Sequence, residues 1–461
     1  MFSCQRAFSY ALLFLIAFAG LSMAQAQTSP PSSVPDPAAV AAAAPSAKPR
    51  PKIGLVLSGG GARGAAHIGV LKVLEELRIP VDFIAGTSMG SIVGGSYASG
   101  MSVVEMEKAV ANITTEKLFT DNPPRQDAPM RIKADDFLPL AAPQFGVGRD
   151  GLTLPKGVIS GVALEGELRQ LVKLRGFRKF DELPIPFRAI ATNLGNGQMF
   201  VFDRGELPMA MRGSMAVPGL VAPLNFDGTL LVDGGLVRNL PVDVARNMGA
   251  DIIIAVNLGT PLLKPDQIQG LFGVSMQMIN ILTEQNVGIS LGQLSVDDVL
   301  ILPELGEFSA GDFDNLLKTV PIGEAAARKV AEKLKRYSLP PVEYASLRLR
   351  QSVPEAKPTP PLNAILVAGN KRVNQEVIVG SLETEVGKPI DQNVLDLDMR
   401  RIYGRGDFES VRPEVREADG KETLVVNVTE KSWGPDYVRF GLQLEADLGH
   451  QARFDLLASF R

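Results

Sequence analysis

Cysteine is almost absent from this 461-residue chain, and its one copy, Cys4, lies ahead of the first apolar run. Once an N-terminal leader is removed, no thiol remains. That excludes a disulfide framework, thiol catalysis and a cysteine metal site together. Histidine is nearly as scarce, with His67 and His450 alone. An excess of positive charge is missing too: 47 Lys and Arg stand against 51 Asp and Glu, for a net charge of −4 and a pI near 5.6. Nucleic acid is therefore not an expected partner. Long apolar runs are confined to the N-terminus.

There, Arg6 precedes the short run "AFSYALLFLIAFAGL", and "AQA" (24–26) follows with the small residues of a cleavage site. This pattern predicts an exported protein with a signal peptide over 1–26. The run is short for a membrane anchor, the competing reading. Residues 27–51 are rich in Pro, Ala and Ser and read as an extended, flexible linker.

The rest has a globular balance, 45% apolar and 21% charged, and enough length for two or three domains. From Lys52, buried-strand runs ("KIGLVL", "VDFIAGTS", "FRAIATNL", "DIIIAVNL") alternate with helical patterns such as "AAHIGVLKVLEELRI". Alternation of this kind predicts an α/β domain with a largely parallel sheet over 52–340. A second linker is expected over 341–361. A small unit follows over 362–431, with a strand, two helices and a hairpin turning at Asp-Gly. Over 432–461, "DYVRFGLQLEAD" and "QARFDLLASFR" alternate apolar and polar residues, as membrane-barrel strands do. Two strands cannot close a barrel, so these read as the start of an incomplete one; an ordinary extra hairpin is the alternative.

Two glycine-rich stretches carry the chemistry. "SGGGARG" places Gly59, Gly61 and Gly64 in the G-x-G-x-x-G spacing of a dinucleotide loop. That reading requires an acidic residue at the end of the next strand, whereas Asp82 begins it and a serine ends it. The serine is Ser88 in "GTSMG", with Gly86, Thr87, Met89 and Gly90 around it. G-x-S-x-G at a strand-to-helix turn lifts a hydroxyl out of the sheet, and small neighbours relieve the sharp bend. A serine that merely caps the helix would share this position. With so few histidines, and only His450 downstream of the serine, a Ser-His-Asp triad is not expected. A buried carboxylate in reach of the hydroxyl can act as base instead. Asp233 is the candidate, delivered by an apolar strand into Gly234 and Gly235, although Asp-Gly is also a common hairpin turn.

The ordered motifs "GGGARG", "GTSMG" and "DGG", supported by "RGSMAVPGLVAP", resemble the patatin-like phospholipase family over about residues 52–340. The resemblance implies a three-layer α/β/α hydrolase with Ser88 as nucleophile and Asp233 as base. It also implies an oxyanion hole in the loop Gly59, Gly60, Gly61, Ala62, Arg63 and Gly64. Arg63 could hold this loop or meet a lipid phosphate. Cofactors and metals are not expected, and the substrate would be a phospholipid or another lipid ester. Residues 362–431 ("ILVAGNKRVNQEVI", "RRIYGRGDFESVRPEV", "LVVNVTEK") resemble a POTRA domain of β-α-α-β-β order. Together with the barrel-like strands, this order of domains resembles patatin-like autotransporters, which implies the outer membrane, with the hydrolase at the cell surface or secreted. A non-catalytic transport or assembly protein, and a serine esterase or protease acting on non-lipid substrates, are the other readings. Nothing in the sequence bears on oligomeric state.

Overall fold

A computed structural model describes residues 50–135, 145–148, 151–353, 359–418, 420–434, 437–446 and 452–460. The signal peptide, nearly all of the first linker and His450 lie outside the described residues. From Pro51 onward the chain forms one compact unit.

An eight-stranded sheet organises the first domain, and its centre is built from the continuous apolar runs of the sequence. Ile53–Leu57 lies between Phe83–Thr87 and Ile252–Val256, all parallel, with Val299–Ile301 extending one side. Phe187–Asn193 continues the parallel set on the other side. Beyond it the sheet turns antiparallel, through Thr229–Asp233, Leu224–Phe226 and Met199–Phe202. The Ile53–Leu57 strand is buried along its whole length, as a strand covered by helices on both faces must be. Helix Ala66–Glu76 packs against helix Val320–Lys329, and the small-residue helix Met89–Ala98 lies on the sheet. The expected α/β architecture is present.

Residues 341–350 depart from expectation. They form a helix, Pro341–Arg350, instead of a linker. Proline at its first turn starts the helix without losing a hydrogen bond. Arg348 then pairs with Glu75 at 3.0 Å, and Gln351 Nε2 donates to the Val81 carbonyl at 2.8 Å, which docks it on the first domain.

The small module has the expected order: strand Leu362–Ala368, helices Gln375–Val379 and Gln392–Tyr403, then strands Phe408–Ala418 and Lys421–Glu430. Lys421–Glu430 runs parallel to the first strand and antiparallel to the second. Asp419 of the hairpin turn lies outside the described residues. The module docks on helix Val162–Gln170 of the first domain, where Arg169 pairs with Glu165 at 2.7 Å and with Asp396 of the module at 2.8 Å.

The final strands, Tyr437–Ala446 and Ala452–Phe460, form an antiparallel hairpin. Tyr437–Ala446 also pairs with Phe145–Gly148, and that segment with Gly151–Thr153. The hairpin is therefore part of a four-stranded sheet that reaches back into the first domain.

Candidate active site

Ser88 stands between strand Phe83–Thr87 and helix Met89–Ala98, with φ of 52° and ψ of −123°. A non-glycine residue in that region is strained by roughly 1–3 kcal/mol, so the surroundings must hold it. They do so by close packing. A Cβ on Gly90 would lie 2.2 Å from the Leu57 carbonyl oxygen, and one on Gly86 2.4 Å from that of Gly90. Only glycines let the strand turn into the helix this tightly. Thr87 Oγ1 donates to the Arg238 carbonyl at 2.8 Å, and the Ser88 N–H donates to Ser214 Oγ at 2.9 Å.

The hydroxyl of Ser88 does not cap its helix. It donates to Asp233 Oδ2 at 2.8 Å. Asp233 ends strand Thr229–Asp233, and its turn opens into a short 3-10 segment, Gly234–Leu236, not into a second strand. The hairpin alternative is thereby set aside. The second carboxylate oxygen, Oδ1, accepts the Gly235 N–H at 2.7 Å. Gly234 presses on the central strand, where a Cβ would lie 2.3 Å from the Ile190 carbonyl oxygen. Burial pushes the Asp233 carboxyl up to about 6, against the opposing pull of the Gly235 N–H and the Ser88 hydroxyl. A buried carboxylate prefers its neutral form, which makes it a stronger base than an exposed aspartate.

The glycine loop lies against the serine, since a Cβ on Gly59 would sit 2.9 Å from Ser88 Cβ. Its donors are not equivalent. The Gly59 N–H is taken by Asn239 Oδ1 at 3.1 Å, that of Ala62 by the Ala310 carbonyl at 2.8 Å, and that of Arg63 by the Gly60 carbonyl at 3.3 Å. Gly64 sits within the 3-10 turn Gly61–Ala65 and backs onto Met89. No described residue accepts from the N–H of Gly60 or Gly61. Among the N–H groups of residues 59–63 these two alone have no acceptor among the described residues. The Arg63 side chain is buried, with the Glu284 carboxylate in its electrostatic surroundings.

Several supports were not singled out from sequence. Ser214, within the quoted "RGSMAVPG", anchors the Ser88 backbone. Asn239, in "VRNLPV", fixes the glycine loop, and its own N–H donates to Asn286 Oδ1 at 2.7 Å. Thr283 and Asn286 both donate to the Gly235 carbonyl, at 3.0 and 2.8 Å, which pins the acid turn to helix Gly270–Leu291. Ser214 and Asn239 sit within stretches read from the sequence and Thr283 and Asn286 in none, and the partners are 47 to 180 residues away in the chain. Asp82 accepts the Ile53 N–H at 2.8 Å, a structural role away from any ribose site. His67 is fully buried and its Nε2 lies 2.9 Å from the Ser58 carbonyl oxygen.

An apolar cavity begins one residue along the chain from the serine, at Met89. Met89 and Met215 line it next to Ser88 and Ser214, and Val93, Met106, Leu168 and Phe313 line its walls. Among the described residues, no cluster of His, Cys, Asp and Glu has the makings of a metal site.

Residues 55–246 match the family model "Patatin-like phospholipase", and residues 360–431 match the POTRA model, described as a surface antigen variable number repeat. The chain therefore carries a patatin-like phospholipase domain followed by a POTRA domain. Over 227 residues it is 34% identical to Lysophospholipase nte1 of Aspergillus fumigatus, covering 48% of this chain and 13% of that protein. It is 34% identical over 208 residues to the uncharacterized NTE family protein Mb1092c of Mycobacterium bovis, covering 45% and 49%. Among solved structures, VipD from Legionella pneumophila aligns at 15% identity with a TM-score of 0.31, covering 62% of this chain and 67% of that one. The chain spans at most about half the length of these curated relatives.

Proposed function

We propose that this protein is an exported phospholipase A-type lipid acyl hydrolase working through a Ser88–Asp233 dyad. The observation that carries the reading is the 2.8 Å hydrogen bond from Ser88 Oγ to a buried carboxylate, beside two unengaged loop N–H groups. Ser88 Oγ attacks the ester carbonyl carbon while its proton passes to Asp233. The charge that forms on the carbonyl oxygen falls to the Gly60 and Gly61 N–H groups. As the tetrahedral species collapses, the ester C–O bond breaks and Asp233 returns the proton to the departing alcohol oxygen. Water then repeats the sequence on the acyl-Ser88 ester, giving the free acid and restoring both side chains. The apolar cavity supports a lipid substrate, because a long acyl chain held there stays out of water. The lysophospholipase name of the fungal relative points the same way.

Export and an outer-membrane setting belong to the same proposal. The N-terminal apolar run and the "AQA" site support export. The terminal hairpin supports the membrane. Phe440, Leu442, Leu456 and Phe460 share one face in the antiparallel register, and all are exposed, up to 79% for Leu456. A lipid-facing wall of a barrel has this alternation.

The test is a product profile from mixed phospholipid vesicles. The wild-type protein should release fatty acid without added metal, and Ser88→Ala should release none. A fluorophosphonate probe should label wild type and leave Ser88→Ala unlabelled; equal labelling of both would remove Ser88 from its assigned role.

A further inference from the structure

A second cavity lies where the patatin-like domain meets the POTRA domain, and its lining mixes polar and apolar residues. Ser160, Arg212 and Asn225 come from the first domain; Ser410, Arg412 and Thr429 come from the two module strands. Arg212 is only 4% exposed. Its Nη2 donates to the Ser160 carbonyl, while its Nη1 is buried without a partner among the described residues. Such a donor is costly to leave unmet.

The surrounding charge explains what is missing. Arg412 shares this lining with Arg212, and among the described residues no carboxylate forms an ion pair with either one. Three acids lie near, and all are engaged; Glu414, on the same strand as Arg412, accepts from Arg416 Nε at 2.6 Å and Asn427 Nδ2 at 3.0 Å. Asp121 accepts from Ser160 N and Oγ, Gly161 N and Ala163 N, at 2.6 to 3.1 Å. Glu165, which also lines the cavity, is held by Arg169 at 2.7 Å. Two arginines in one lining, together with Asn225, Ser410 and Thr429, match an anion with several acceptor oxygens.

We propose that this interdomain cavity binds a phosphate-class oxyanion bridged by Arg212 and Arg412. The bound anion ties the POTRA strand Phe408–Ala418 to helix Leu207–Ser214, whose last residue holds the Ser88 backbone. The ion could be free phosphate or the headgroup of a phospholipid, and the chemistry of recognition is shared.

The experiment is calorimetric titration of the full chain carrying Ser88→Ala, at constant ionic strength balanced with chloride. The probes are inorganic phosphate, glycerol 3-phosphate and vesicles containing phosphatidic acid. Saturable binding that weakens at least about tenfold in Arg412→Gln is the expected result, the size set by loss of one charge-assisted contact pair. Binding of inorganic phosphate assigns the free ion; binding only of the organic probes assigns the headgroup. Arg412 sits on a half-exposed module strand position, so its replacement leaves the Arg212 side of the cavity folded. Equal binding by the variant and its parent for every probe, or no saturable binding of any, overturns the site. Neither result bears on the chemistry at Ser88.

Discussion

The regions around Asp233 and His67 each hold a buried titratable group of the first domain, and the two end in different roles. Burial pushes each toward neutrality: Asp233 up to about 6, His67 down to about 4. The Asp233 carboxylate meets the Ser88 hydroxyl, whereas His67 meets only the Ser58 carbonyl, to which a neutral ring donates from Nε2. Its Nδ1 has no partner among the described residues. Of the two, only the aspartate has a hydrogen bond to the serine hydroxyl. Desolvation alone does not make a catalytic group, because proton transfer requires contact with the reacting oxygen.

The largest expected effect breaks the productive side of this pair. Asp233→Asn keeps an acceptor for the Gly235 N–H but cannot take the Ser88 proton. Ester hydrolysis should fall by about 100- to 10,000-fold, measured as kcat on a soluble ester. The same change should raise the melting temperature at pH 8. The folded-state carboxyl sits near 6, above its ordinary value of 3.8, so the folded chain holds the extra proton between those values. Stability from this group is therefore present at low pH and declines as pH rises through that window. The gain from Asn should fade toward pH 4. A variant with wild-type activity would remove Asp233 from the mechanism.

The same carboxyl sets a pH profile. Only its ionised form accepts the proton, so kcat/KM should rise about tenfold per pH unit below 6 and level off above it. A profile that instead rises through pH 4 would follow His67 and invert the comparison.

The apolar cavity offers a narrower test. Val93→Phe fills part of it without touching Ser88 or Asp233. Hydrolysis of long-chain esters should fall by about tenfold relative to butyrate esters, given what a few methylenes contribute in a pocket. An equal loss on both substrates would mean that the acyl chain lies elsewhere.

Much of the site was legible because its parts are local. A strand followed by G-x-S-x-G, or an apolar strand ending in Asp-Gly-Gly, is a contiguous signal with a steric reason. The POTRA order was legible for the same reason. What escaped is relational. Nothing local tells that Asn239 takes up the Gly59 N–H, so which loop N–H groups lack an acceptor was not legible. Pro341–Arg350 looked like a linker because its helix is held by Glu75 and Val81, over 260 residues earlier. Likewise the pairing of Tyr437 with Gly146 joins segments that share no sequence pattern.

The smallest expected effect completes the comparison. His67→Gln preserves a side-chain donor for the Ser58 carbonyl and leaves the Ser88–Asp233 contact in place. Activity should change by no more than about threefold at pH 8, within the effect of a displaced structural hydrogen bond. Stability should fall by about 1 kcal/mol, since an amide fills an imidazole site imperfectly. The informative measurement is kcat on a soluble ester alongside the melting temperature, because a fold defect moves both and a catalytic role moves kcat alone. If kcat collapsed while the melting temperature held, the histidine would be acting on the serine despite its distance, and the dyad would need a third member.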